Sequence, residues 1–252
     1  MTTASIVRES ITASSNPLGL DGIEFIEYCT TKPQALGQVL EMPVISAIAL
    51  RVRDAAAAYR HALDRGAWAV PVNVEVMELN IPAIHGVGTS RIYFVDRCTD
   101  FSIYDVDFTA IPTVDPAPPA LTGLHWFGVV QYIGNERMED WTEFYAELLG
   151  FKALPDEQRF GVLPKGRILQ SPCGNFYLQL IEPEPGILDV EGDESLQRVG
   201  FGCADVLASV AALRARGVGF VESNGVHSET RGALTQSQLG GVMFELVHHE
   251  RA

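Results

Sequence analysis

The chain has 252 residues, 47% hydrophobic and 20% charged, an ordinary globular composition with room for one large domain or two small ones. Eighteen Lys and Arg against thirty-two Asp and Glu give a formal net charge of −14, which argues against nucleic acid or an anionic membrane surface as partner, since either needs clustered cations. Cys29, Cys98, Cys173 and Cys203 stand apart with no CxxC pair, so free thiols in a reducing compartment are expected rather than disulfides or a zinc knuckle. MTTASIVRESITASSNP carries charges without an apolar core, and no run approaches the roughly 20 apolar residues of a membrane span. The expectation is a cytoplasmic protein with a flexible arm over residues 1–17.

In chain order, DGIEFIEYCTTKPQAL (21–36) opens on an apolar strand. AIALRVRDAAAAYRHALDRGAWAV (47–70) then reads as strand, Asp, Ala-rich helix, Gly and strand. Asp54 suits the helix N-cap, and Gly66 a left-handed residue just past its end. SRIYFVDR (90–97) is a further strand, and IPTVDPAPPALT (111–122) is a Pro-rich, extended linker. GLHWFGVVQ (123–131) sets His125 inside an apolar run, where it is either a packed core residue or one corner of a metal site; the run alone leaves both open. WTEFYAELLGF (141–151) has helical apolar spacing, and SPCGNFYLQLIEP (171–183) supplies further strands.

The last third repeats the first. RVGFGCADVLASVAALRARGVGFV (198–221) matches 47–70 in register, with Asp205 for Asp54 and Gly217 for Gly66 at an offset of 205 − 54 = 151. GGVMFELVHH (240–249) matches 90–97 at the same offset. A weaker match joins 21–36 to 122–137 at 123 − 22 = 101, so 151 − 101 = 50 residues of the second half have no counterpart in the first. The division expected is a half over 18–110, the linker over 111–122 and a second half over 123–252. Sheets of such βα units carry helices on one face and an open cup on the other, and cups of this kind hold small ligands.

On these residues the chain resembles bacterial 4-hydroxyphenylpyruvate dioxygenase, of the vicinal oxygen chelate superfamily. The likeness runs from GIEFIEYC (22–29) to FELVHH (244–249), and MELNIPAIHGVGTSRIYFVDR with SIYDVDF (77–97 and 102–108) is its most specific part. It implies an α+β fold of paired βαβββ modules in two homologous halves, the first truncated between Glu27 and Pro43. It also implies a site in the second-half cup. There the family holds iron(II) on two histidines and a glutamate, leaving open positions for a 2-oxo acid and dioxygen. The first histidine falls on His125 and the glutamate on Glu245 of MFELV. The second histidine falls on Arg198 of QRVGF, and the asparagine of a PLNE-like strand falls on Ile181 of YLQLIE. A guanidinium has no lone pair for a metal, repels a divalent cation and can pair with Glu245 instead.

Each residue has a plainer reading beside this one. His125 can be core, and Arg198 a rim salt bridge; Glu245 between Phe244 and Leu246 is costly unless paired. Subtracting the offsets places Glu24, Ala47 and Phe94 at the matching positions of the first half, a set unable to bind metal, with Glu24 expected to face solvent or cap a strand. His248 and His249 read as a solvated tail, and His227 in SNGVHSETRG as a possible replacement ligand.

Three functions are thereby expected. The first is an oxygenase using Fe(II) or another divalent metal on His125 and Glu245, with water or His227 completing the set, acting on an aromatic 2-oxo acid. The second is a metal-free isomerase or lyase in which Arg198 clamps a small carboxylate and His125 or Glu245 moves a proton. The third is a non-catalytic binding protein. Open sheet edges in a shortened first half favour a homo-oligomer.

Overall fold

The repeat written in the sequence becomes two halves of one connected sheet. The computed structural model describes residues 15–30, 44–71, 80–98, 102–115, 117–155, 157–158, 160–161, 166–182, 194–221, 232–238 and 241–250. The front part contains β1 (Gly22–Cys29), β2 (Val44–Arg51), α1 (Ala55–Leu63), β3 (Ala83–His85), β4 (Arg91–Val95) and α2 (Tyr104–Asp107). The rear part contains β5 (His125–Tyr132), α3 (Met138–Leu149), β6 (Lys152–Ala153), β7 (Arg167–Gln170), β8 (Tyr177–Ile181), β9 (Ser195–Cys203), α4 (Val206–Arg214), β10 (Gly232–Leu234) and β11 (Met243–His248). Strand order is β3-β4-β2-β1 in front and β6-β7-β8-β5-β9-β11-β10 behind, joined through the single pair Ile45↔Leu196. The fold is α+β. In it β5-α3-β6-β7-β8 forms one βαβββ module, and β2 and β9 each lead another, their missing strands supplied by the bridges Ala69↔Ile84 and Phe220↔Thr235.

Local chemistry explains why the repeat folds twice the same way. Asp54 accepts from the Ala57 N–H and Asp205 from the Ala208 N–H, both at 2.8 Å, capping α1 and α4. Gly66 and Gly217 both sit at φ +90°, left-handed backbone that ends the two helices at the same place. Alternation in the strands then divides the faces. Val129, Leu178, Leu180 and Val199 point toward Trp141, Tyr145, Leu148 and Leu149 of α3 in a core that also takes in Ile48 and Leu50. Each such buried aliphatic side chain contributes about 1.5–3 kcal/mol. Helices thus cover one face of the sheet, leaving the other face free to line the cups.

Strand pairing corrects two of the expected correspondences. Both β1 and β5 are bulged, at Ile23/Phe25 and Trp126/Gly128, and again at Glu27/Tyr28 and Val130/Gln131. Phe25 pairs with Ala49 as Gly128 pairs with Gly200, so the offset here is 128 − 25 = 103. The counterpart of His125 is therefore Gly22, since they face Gly202 and Arg51 respectively, and not Glu24. A two-residue slip preserves the inside–outside alternation, which is why the apolar pattern did not reveal it. Glu24 itself is buried, its side chain 5% exposed and accepting from Arg51 Nε at 2.8 Å, rather than facing solvent. In the last strand, Tyr93 pairs with Ala49 as Glu245 pairs with Gly200, so Tyr93 and not Phe94 is the counterpart of Glu245. Phe94 points the other way, into the helix-side core. The segment between Glu27 and Pro43 lies largely outside the described residues, as do residues 1–14 of the arm.

Candidate functional site

Four strands, β5, β8, β9 and β11, carry the rear cup, and their register places its side chains in rows. Val130 of β5 pairs with Arg198 of β9 on one side and Gln179 of β8 on the other. In the next row Glu245 of β11 pairs with Gly200, Gly200 with Gly128, and Gly128 with Tyr177. His125 follows, opposite Gly202. Period-two alternation turns Arg198, Glu245, Gln179, Tyr177 and His125 to the same face, away from α3. The glycines have a use here. A Cβ at Gly202 would run into the His125 ring, and one at Gly200 would approach Phe127 Cδ1 at 3.3 Å, so bare backbone lets both rings lie over β9.

Arg198 and Glu245 meet in this cup. Arg198 Nε donates to Glu245 Oε2 at 3.1 Å, and the two side chains are 6% and 1% exposed. Arg198 Nη2 is buried and has no hydrogen-bond partner among the described residues. A guanidinium withdrawn from water with one N–H group unanswered is an incomplete arrangement, and its natural complement is an anionic oxygen. Gly161 lies against the Glu245 carboxylate from above, where any side chain would collide with it. Between Phe127, Val130, Tyr177, Gln179, Gly200 and Glu245 remains a cavity of about 10 Å³, no more than a single water would fill. Gln179, 8% exposed in this wall, was missed from sequence, although alternation from Tyr177 places it on the cup face.

His125 has different company. Its Nδ1 lies 3.2 Å from the Gly123 carbonyl, and its Nε2 lies 2.9 Å from Nδ1 of His249. His249 is therefore not a solvated tail residue. Its backbone N–H donates to the Cys203 carbonyl at 3.0 Å, carrying the β9–β11 ladder one step beyond β11, and its ring lies beside Phe127, Phe160 and Tyr177. The signal was present: Glu245, Val247 and His249 alternate onto one face of a single strand. His248 alternates outward and is exposed. Ile181 is buried at the far end of β8, on the Tyr177–Gln179 side.

These residues can be tested against the iron centre that the resemblance implies. His125 and Glu245 share the cup face, but Glu245 is engaged by the Arg198 cation and His125 by a second imidazole. Among the described residues no three His, Cys, Asp or Glu side chains cluster as metal ligands. His227 lies outside the described residues. A fixed positive charge stands where the third ligand would be, so the described residues do not fit a three-ligand iron(II) site.

Fold and cup together define a protein of βαβββ half-barrels whose rear sheet carries buried polar and aromatic side chains on its open face. Comparison with known proteins agrees. Residues 40–109 match the family "Hydroxyphenylpyruvate dioxygenase, HPPD, N-terminal", and residues 123–246 match the "Glyoxalase/Bleomycin resistance protein/Dioxygenase superfamily". Hemolysin VllY of Vibrio vulnificus is 27% identical over 82% of this chain and 73% of its own, and 4-hydroxyphenylpyruvate dioxygenase of Pseudomonas aeruginosa is 24% identical over 85% and 75%. A solved xylose isomerase-like TIM barrel/4-hydroxyphenylpyruvate dioxygenase fusion protein superposes with a TM-score of 0.67 at 19% identity, over 96% of this chain and 51% of that one. The chain belongs to the vicinal oxygen chelate superfamily, as a 4-hydroxyphenylpyruvate dioxygenase-like member. Among the described residues no helix is long and apolar enough to cross a membrane.

Proposed function

We propose that the rear cup binds a small carboxylate, an aromatic 2-oxo acid or a relative of one, on the guanidinium of Arg198 rather than on a histidine–glutamate iron centre. The observation that carries this is the buried Arg198, anchored through Nε to Glu245, with Nη2 unpartnered among the described residues. Glu245 fixes the plane of the guanidinium, so its remaining N–H groups are pre-aimed. An anion arriving there meets a cation already stripped of water, where each charge-assisted hydrogen bond is worth about 1.5–3 kcal/mol. The aromatic walls Phe127 and Tyr177, stacked at 4.8 Å, suit a ligand with a ring. The dioxygenase relatives support the same substrate class. His125, once its Nε2 is released, is the group in this cup able to take or give a proton, so isomerisation, dehydration or carbon–carbon cleavage are the reactions that fit.

A metal-dependent oxygenase is the second reading, favoured by one observation: His125 and Glu245 do share a cup face. Fe(II) or another divalent metal would then need Glu245 to exchange Arg198 for the ion. The outer edges of β1 and β6, to which no further strand pairs among the described residues, support a homo-oligomer.

Titration calorimetry of chelator-treated protein with phenylpyruvate tests the proposal. Arg198→Met should weaken binding roughly tenfold to a hundredfold, and Arg198→Lys should recover part of it. Equal affinity in wild type and Arg198→Met would remove Arg198 from the site.

A further inference from the structure

Where the two halves meet, β2 and β9 are joined by the pair Ile45↔Leu196, and beside that seam lies a cavity of about 560 Å³. Its lining includes Cys29, Ser46 and Arg91 of the front half and Arg137, Glu194 and Ser195 of the rear. Gly88, also in the lining, brings the turn before β4 against Glu194: a Cβ there would collide with the Glu194 carbonyl, and the backbone at φ +62° suits glycine. Two carboxylates belong to this network, and both are answered. Glu27 accepts from Ser46 Oγ at 2.7 Å through Oε1 and from the Tyr93 hydroxyl at 3.3 Å through Oε2. Glu194 Oε1 accepts from Trp141 Nε1 at 2.7 Å and from the Gly134 N–H at 3.0 Å, and lies 3.1 Å from Arg137 Nη1. Arg91 differs. Its Nη1 donates to the Tyr93 hydroxyl at 3.1 Å, which fixes the guanidinium, while its Nε and Nη2 edge makes no hydrogen bond among the described residues.

From this we infer that the seam is a second anion-binding site, separate from the rear cup, and that its ligand is a small organic anion held on Arg91. Two oxygens of a carboxylate or phosphate lie side by side on the Nε and Nη2 edge, the paired geometry that a guanidinium offers and an ammonium does not. Ser195 adds a donor, because its Oγ accepts from Gln197 Nε2 at 2.8 Å and keeps its own O–H to give. Arg137 adds a second cation from the rear half. A cationic ligand is disfavoured, since Glu27 and Glu194 already have donors and Arg91 would repel it. The cavity falls within the roughly 300–1,000 Å³ of small-molecule sites. It is not a copy of the rear cup. Arg91 pairs with Ala47 as Met243 pairs with Arg198, so the counterpart of Arg91 is Met243 and that of Arg198 is Ala47. The inference therefore stands apart from the rear-cup reading. A ligand shared by Arg91 and Ser195 ties β4 to β9, bracing the two halves where the strand pair Ile45↔Leu196 joins them.

Cys29 is exposed and lines the cavity, so its alkylation by uncharged iodoacetamide reports whether the site is filled. Cys98 and Cys173 are first changed to Ser, which leaves Cys29 and the buried Cys203. The probes are glycerol 3-phosphate and succinate, with glycerol as the uncharged control, and each variant is checked for a cooperative melt. At about ten times its dissociation constant, an anion that fills the cavity should slow Cys29 alkylation roughly tenfold, and glycerol should not. Arg91→Met should abolish the protection, Arg91→Lys should recover part of it, and Arg198→Met should leave it unchanged. Protection by glycerol 3-phosphate alone makes the ligand a phosphate, and protection by succinate alone makes it a carboxylate. Protection by neither at up to about 10 mM would overturn the inference. So would equal protection in wild type and Arg91→Met, or protection by glycerol. Protection kept in Arg91→Met and lost in Arg198→Met would move the anion to the rear cup. Conversely, phenylpyruvate binding indifferent to Arg198, with protection of Cys29 still dependent on Arg91, would sink the rear-cup clamp and keep the seam site.

Discussion

Removing one partner of the Arg198–Glu245 pair should hurt far more than removing both. Glu245→Leu leaves the Arg198 guanidinium, 6% exposed, without its hydrogen bond to Glu245, beside a small cavity that Phe127, Val130, Ile168 and Val247 line together with Tyr177 and Gln179. Orphaning a buried charge of this kind costs about 3–5 kcal/mol. For a chain of this size each kcal/mol lowers the melting temperature by about 2–4 °C, so a fall of roughly 6–20 °C is expected. Arg198→Met with Glu245→Leu replaces the pair by apolar groups of similar volume, and such replacements are often neutral or stabilising; the double variant should melt within a few degrees of wild type. Urea denaturation of all four species closes the cycle, with an expected coupling of about 2 kcal/mol or more between the sites. Additive single effects, or Glu245→Leu costing under about 1 kcal/mol, would mean that the guanidinium reaches water and that the buried clamp is wrong.

Other consequences are simpler to check. Asp54→Ala and Asp205→Ala each remove a side-chain cap made at 2.8 Å, and each should cost about 1 kcal/mol in urea denaturation, by similar amounts because the two caps are copies. Gly202→Ala places a methyl group against the His125 ring and should break the His125–His249 hydrogen bond while sparing the melt, seen as altered signals of both rings in NMR spectra. Burial, and then the nearby Arg65 cation, hold the His61 imidazole below its ordinary value. Its neutral form is favoured in the fold, so its contribution is present above the unfolded value of about 6.5 and is lost as pH falls through the lower folded value. Stability should decline below about pH 6.5 in wild type and decline less in His61→Gln; identical pH profiles would count against this.

How far the sequence could be read depended on what each signal physically encodes. The βα repeat was legible because caps and helix-ending glycines are local chemistry: Asp54, Asp205, Gly66 and Gly217 behave as their residue types require. Arg198 facing Glu245 was foreseeable once both were placed on neighbouring strands. Exact registers were not, because the bulges at Ile23/Phe25 and Trp126/Gly128 add residues without disturbing the apolar pattern, which moved the counterpart of His125 from Glu24 to Gly22. His249 was misread for a different reason. Proximity to the tail suggested solvent, while its alternation with Glu245 and Val247 already put it in the cup. Which aromatic rings would surround it depended on Phe160 and Tyr177, far apart in sequence, and no local pattern encodes that contact.

The account stands or falls on whether Arg198 has replaced a metal ligand. Wild type, Arg198→His and His125→Ala, all carrying His248→Ala, should be loaded anaerobically with iron(II), desalted and assayed for bound iron. The account predicts little iron in wild type and His125→Ala, and near-stoichiometric iron in Arg198→His, where two imidazoles and Glu245 would again share one face of the cup. Near-stoichiometric iron in wild type that disappears in His125→Ala would contradict it and return the site to metal chemistry.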